Sequence, residues 1–140
     1  MPTIISYRKY IDIQLTRELR LPLDADQHPV GTELATLADG LTYVCLPAGA
    51  VLPAEQPAEI LASIINPVTL TLAQVLDIKA ASPHVRLINQ RVAEQIADLY
   101  SLADEIKLLR TAPSPEHDVY NTYAENCRAW GRAEKAKLGL

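Results

Sequence analysis

"LINQRVAEQIADLYSLADEIKLL", residues Leu87 to Leu109, repeats its apolar residues in one rhythm for longer than any other part of this 140-residue chain. Counted in sevens from Val85, one seam position takes Val85, Val92, Leu99 and Ile106, and the other takes Ile88, Gln95, Leu102 and Leu109. Seven of these eight are apolar, the pattern of a helix that packs lengthwise against another helix. About 27 residues at a 1.5 Å rise predict a rod of roughly 40 Å, longer than a compact domain of this size needs. The spacing therefore predicts an interface element, with Val85, Ile88, Val92, Gln95 and Leu99 as the candidate protein-interface residues. Gln95 breaks the apolar seam: it either fixes register in a dimer or sits where the partner helix is short and water reaches it.

Working outward, Ser114-Pro115-Glu116 marks the start of a further helix, with a serine cap, proline at the first helical position and an acidic first turn. From Pro115 to Lys137 it spaces Tyr120 and Cys127, and likewise Tyr123 and Trp130, seven apart. Joined through "TAPSP", the two helices are expected to form an antiparallel hairpin with Tyr123, Cys127 and Trp130 on the Leu and Ile seam. Gly131 weakens the second helix by about 1 kcal/mol, and the "AEKAKLGL" end is expected to fray. Upstream, Thr71-x-x-Gln74 has the form of a capping box and starts a short helix that must stop by Ser82, because Pro83 follows. Ser82-Pro83 repeats the serine-cap, proline-first signal.

The first half carries most of the ten prolines, which excludes long helices there and leaves short strands and loops. Asp39-Gly40 separates two runs containing Leu, Thr, Tyr and Val, and predicts a β-hairpin on a type I′ turn. Tyr43 and Cys45 then face one way, and Thr42, Val44 and Leu46 the other, with Val44 and Leu46 buried. "TIISYRKYIDIQLTREL" is ambiguous between strand and helix; the alternation of Ile11, Ile13 and Leu15 favours a strand at Ile11 to Leu15. The expectation is an α+β protein: a small β-rich region over 1–67, and a helical region with a long hairpin over 68–140. Prolines at both ends of "QPAEILASIINPV" predict loose coupling between the two.

Composition narrows the function classes. A hydrophobic share of 49% supports a folded core. A net charge of −4 and a pI near 5.3 lack the basic footprint of a nucleic-acid binder. Cys45 and Cys127, 82 positions apart without paired spacing, fit a reduced cytoplasmic protein, with a single long-range disulfide as the alternative. "MPTIISYRKYIDIQL" lacks the layout of a signal peptide, and no window approaches a membrane span. Glu55 and Glu59 could be paired as acid and base, but nothing flanking them buries or polarises a carboxylate. His28, His84 and His117 lack a second ligand at i+3 or i+4, and no phosphate loop, GxSxG or HExxH occurs. The expectation is a non-enzymatic protein with no catalytic residue, metal or cofactor.

The run "RVAEQIADLYSLADEIKLLR", the proline break and "YNTYAENCRAWGRAEKAKLGL" resemble the helical ends of small phage tail and tail-fibre assembly proteins, over residues 85–140. In those proteins a helix with an "I…LY…AD…LLR" run precedes one with a Tyr or Trp stripe and a Lys- or Arg-containing end. The "DGLTYVCLP" hairpin and Pro-rich link are similar to their β-rich front, although a clear aromatic-rich opening is missing here. The resemblance implies a phage- or prophage-encoded chaperone-like accessory protein, in the host cytoplasm or associated with the virion, that binds a tail or tail-fibre polypeptide. It carries over no catalytic residue and no cofactor.

Two other classes stay open: a structural subunit that remains in the particle, and a small enzyme or ligand-binding module with a loop-built site near Glu55, Glu59, His28 or His84. A homo-oligomer is expected in addition. The seam holds more apolar residues than one returning 23-residue helix covers, and soluble monomers seldom expose such a patch.

Overall fold

The computed structural model describes residues 1–60 and 64–140. The fold is α+β, with a four-stranded antiparallel sheet in the N-terminal part followed by four helices. Strands β1 (Thr3–Tyr7), β2 (Thr32–Thr36), β3 (Thr42–Leu46) and β4 (Asn66–Val68) precede helices α1 (Leu72–Ala81), α2 (Pro83–Leu99), α3 (Leu102–Arg110) and α4 (Pro115–Lys137). The chain divides into two units, Met1–His84 with Lys137–Leu140 and Val85–Ala136. β4 and α1 thus belong with the sheet, and the division falls after His84, not near residue 67.

In the sheet unit the strand order is β2-β3-β1-β4. β1 pairs with β3 from Thr3↔Leu46 to Tyr7↔Thr42, and with β4 at Ile4↔Val68 and Ser6↔Asn66. Both faces are covered. Ile4, Leu34, Tyr43 and Cys45 pack with Ile78 of α1 on one face, and Leu138 and Leu140 join them there. Ile5, Tyr7, Val44, Leu46 and Ile60 form the other, packed with Leu19, Leu21, Leu52, Ile64 and Ile65. A strand buried on both sides reads as an unbroken apolar run, not an alternating one. This is why "TIISY" is the first strand.

Ile11 to Leu15, expected as a strand, is an exposed turn closed by an isolated bridge between Tyr10 and Thr16. Among the described residues its alternation has no neighbouring strand and no core beneath it. The Asp39-Gly40 hairpin is present, but its turn differs from the expected one. Gly40 N–H donates to the Leu37 carbonyl (3.0 Å) and Leu37 N–H to that of Leu41 (3.1 Å). Gly40 has a positive φ of 78°, whereas Asp39 does not. This matches a three-residue loop ending in a left-handed glycine, not type I′. The Asp39 carboxylate instead accepts from Leu41 N–H (2.8 Å) and the Tyr43 hydroxyl (2.7 Å).

The expected loose link is largely part of the core. Ile60, Ile64 and Ile65 pack on the sheet, and Pro67 sits in edge strand β4, where a missing N–H is tolerated. Leu61 to Ser63 of that link lie outside the described residues. The end of the chain does not fray as expected: α4 runs to Lys137, Leu138 and Leu140 pack on the sheet, and the Cys45 thiol donates to the Lys137 carbonyl at 3.6 Å.

In the helical unit, the long rod is two helices. Ser101 has extended backbone angles (φ −68°, ψ 164°) and forms a reciprocal capping box. Its hydroxyl accepts from Asp104 N–H (3.1 Å) while its own N–H donates to the Asp104 carboxylate (3.0 Å). Two orphan donors at the start of α3 are thereby satisfied, which lets the chain end α2 at Leu99 without leaving them bare. α4 still returns antiparallel to α2. Gly131 lies against Val92, the Tyr123 hydroxyl donates to the Gln95 carbonyl (2.7 Å), and the rings of Tyr120 and Tyr100 meet edge-on at 4.9 Å.

Candidate functional site

The break at Ser101 resets which residues face inward. The core of the helical unit is Ile96, Tyr120, Ala124 and Cys127, with Val92, Tyr100, Leu108 and Tyr123 packed against it. The buried face of α4 therefore runs through Tyr120, Ala124, Cys127 and Gly131, and Trp130 is half-buried beside it. From α3, Leu108 joins the core and Glu105 accepts a hydrogen bond from the Tyr120 hydroxyl at 2.8 Å. Burial, then this carboxylate, raises the Tyr120 pKa above its ordinary 10.0.

With Leu108 inward, the remaining apolar residues of α3 point to water. Leu102 is 73% exposed, Ile106 45% and Leu109 62%, at the i, i+4 and i+7 spacing of one helix face. Leu99, the last residue of α2, is 62% exposed. Next to it is a hollow of about 500 Å³ whose lining combines Leu99, Tyr100 and Leu108 with the polar residues Asp104, Lys107, Thr111, Ser114 and Glu116. Ser114 caps α4, its hydroxyl accepting from His117 N–H at 3.0 Å.

The five expected interface residues are separated by this arrangement. Val85 is buried, and Ile88 and Val92 are half-buried with methyl groups 3.8 and 2.7 Å from where a Gly131 Cβ would stand. Gln95 is half-buried, and its backbone carbonyl takes the Tyr123 hydroxyl. Leu99 is exposed together with Leu102, Ile106 and Leu109. The signal that would have separated them is Ser101-x-x-Asp104, the same kind of motif that was legible at Thr71-x-x-Gln74.

No protein-family model, curated protein or solved structure matches this chain.

The residues considered for chemistry are scattered. Glu55 and Glu59 are exposed, as are His28 and His84, while His117 is half-buried with Nδ1 4.0 Å from the Asp118 carboxylate. One grouping escaped the sequence reading: the ligand atoms of Asp24, Asp26 and His28 lie within 4.8 Å of one another, all three residues exposed. Asp24 Oδ1 already accepts the N–H groups of Asp26 and His28, each at 2.9 Å, so the cluster is accounted for as a side-chain-stabilised turn. Among the described residues no helix is long and apolar enough to cross a membrane.

Proposed function

We propose that this chain is a non-enzymatic accessory protein of phage or prophage tail assembly, and that it holds an apolar segment of a tail or tail-fibre polypeptide on the outward face of α3. The observation that carries the proposal is the stripe of Leu102, Ile106 and Leu109, presented to solvent by a helix whose adjoining side is anchored through Leu108 and Glu105, with Leu99 at the end of α2 exposed as well. Aliphatic groups lined up on a fixed helix face are matched by an amphipathic helix or extended apolar strip of another protein. The resemblance of residues 85–140 to tail and tail-fibre assembly proteins supplies the class of client.

The test is co-expression with tail and tail-fibre polypeptides from the genome that encodes this chain, followed by affinity capture. Wild type is expected to retain one of them in soluble form. Ile106→Glu together with Leu102→Glu, both at exposed positions, is expected to lose it while the thermal melt stays in place. Capture unchanged by these substitutions, or no such polypeptide captured by wild type, would remove the proposal. Its presence in stoichiometric amount in purified particles would mark a resident subunit instead.

A further inference from the structure

We infer, on the reading of α3 as a docking face, that its partner is an amphipathic helix whose apolar side is edged with carboxylates, and that these pair with Lys107 and Arg110.

The apolar stripe has two borders of different kind. Leu102, Ile106 and Leu109 recur at i, i+4 and i+7, so the residues one position later, Ala103, Lys107 and Arg110, form a parallel row along one side. The row along the other side runs through Ser101, Glu105 and Leu108. That second row is taken up by the chain's own fold: Leu108 packs in the core of the helical unit, and Glu105 accepts the Tyr120 hydroxyl at 2.8 Å. Ala103, Lys107 and Arg110 are all exposed. A helix laid on the stripe therefore meets an open border whose two charges are both positive.

Neither cation is held in an ion pair by the chain itself. Among the described residues no carboxylate lies within ion-pair distance of Lys107 or Arg110. Asp104 is near enough to Lys107 to feel its charge, yet its carboxylate holds the Ser101 N–H at 3.0 Å as part of the capping box. The border thus offers two cations to an incoming carboxylate without an internal pair having to be broken first.

Charge also decides between occupants. A second copy laid antiparallel on the stripe would set Lys107 and Arg110 against its own basic row, and like charges across a contact repel. An anionic bilayer would meet the carboxylates of Asp104 and Glu105 on the same helix, in a chain of net charge −4. That net charge does not bar an acid-edged helix, because at physiological salt exposed charges more than about 8 Å away are largely screened and the field of the border is local. A row of partner carboxylates opposite Lys107 and Arg110 sets register and orientation, while the aliphatic contact excludes water.

The test uses two synthetic amphipathic peptides of about 20 residues, long enough to hold a helix, with one leucine face edged by Glu in the first and by Lys in the second. Their binding to the full chain is read by fluorescence anisotropy. Wild type is expected to bind the Glu-edged peptide about tenfold more tightly at low salt, with the difference shrinking at about 0.5 M salt. Lys107→Gln with Arg110→Gln is expected to abolish the preference, and Lys107→Glu with Arg110→Glu to reverse it, whereas Ile106→Glu loses both peptides. Equal affinity of wild type for the two peptides, or a preference that survives removal of both cations, overturns the inference and leaves α3 a docking face. Failure of the docking face itself is a different result: neither peptide binds, or Ile106→Glu leaves both bound. A wild-type dimer that Ile106→Glu dissociates, or binding of anionic vesicles through Ile106, would put another occupant on the stripe and equally overturn the inference.

Discussion

Gly131 lies in the middle of α4, where a glycine weakens a helix by about 1 kcal/mol relative to alanine. The space beside it explains its presence: an added Cβ would stand 2.7 Å from a methyl group of Val92. Gly131→Ala is therefore expected not to stabilise the protein but to destabilise it by about 1–3 kcal/mol through overpacking. In a Val92→Ala background the same substitution should become neutral or favourable, and urea denaturation of the four proteins of this cycle measures the coupling.

Tyr43 is a second residue whose surroundings set its chemistry. Its hydroxyl donates to the Asp39 carboxylate and receives Gln74 Nε2 at 3.3 Å, linking the hairpin turn to the first turn of α1. Burial, followed by Asp39, pushes its pKa up to about 12, and burial does the same for Tyr7. Both phenols are thus more readily ionised in the unfolded chain, near 10, than in the folded one. Their contribution to stability is complete below pH 10 and is lost as the pH rises through about 12. Denaturation midpoints should fall over that window, and phenolate absorbance should show Tyr7 and Tyr43 among the tyrosines that ionise late, with one late-ionising group lost in Tyr43→Phe.

At the scale of elements, the capping box at Ser101 decides how the longest apolar run is used. Ser101→Ala removes an oxygen that satisfies Asp104 N–H and is expected to lower stability by about 1 kcal/mol. The hydrogen bonds from Ser101 hold the Asp104 carboxyl below its ordinary value of 3.8. A carboxyl lowered in the fold contributes fully above pH 3.8 and loses its contribution as the pH falls through the lower folded value. Side-chain carbon shifts of Asp104 should titrate below 3.8 in wild type and move towards it in Ser101→Ala.

The same element shows why some of the architecture was legible from residues and some was not. Serine or threonine caps with proline or glutamine behind them marked the starts of α1, α2 and α4, because these signals act within four residues. Ser101-x-x-Asp104 is of the same kind but lies under a heptad pattern, and the pattern suggested continuity across it. For the interface candidates the consequence was a shift in phase: Ile88 and Val92 face α4, while Leu102, Ile106 and Leu109 face water. In the sheet, alternation failed in both directions. β1 does not alternate in polarity because both its faces are covered, and Ile11 to Leu15 alternates without being paired.

For the whole molecule, the segment after α4 matters more than its composition suggests. Leu138 and Leu140 add to the cluster of Ile4, Tyr43, Cys45 and Ile78, and a Cβ on Gly139 would stand 2.9 Å from the Ile4 side chain. Removing Leu138 to Leu140 is expected to destabilise the sheet unit by about 2 kcal/mol, from the apolar area of two half-buried leucines. Burial raises the Cys45 thiol pKa, which keeps it unreactive in the intact fold. A faster reaction of Cys45 with a thiol reagent in the shortened chain would register the loss directly, and an unchanged rate would count against it.

Because residues 85–136 leave from and return to the sheet unit, a pull applied at Met1 and Leu140 first loads the contact of Ile4 with the returning segment. The helices bear no tension until that contact gives way. Under stretching, this contact acts as a mechanical fuse for the helices inserted in the chain of the sheet unit. Force spectroscopy should record its rupture before any extension from α2, α3 or α4.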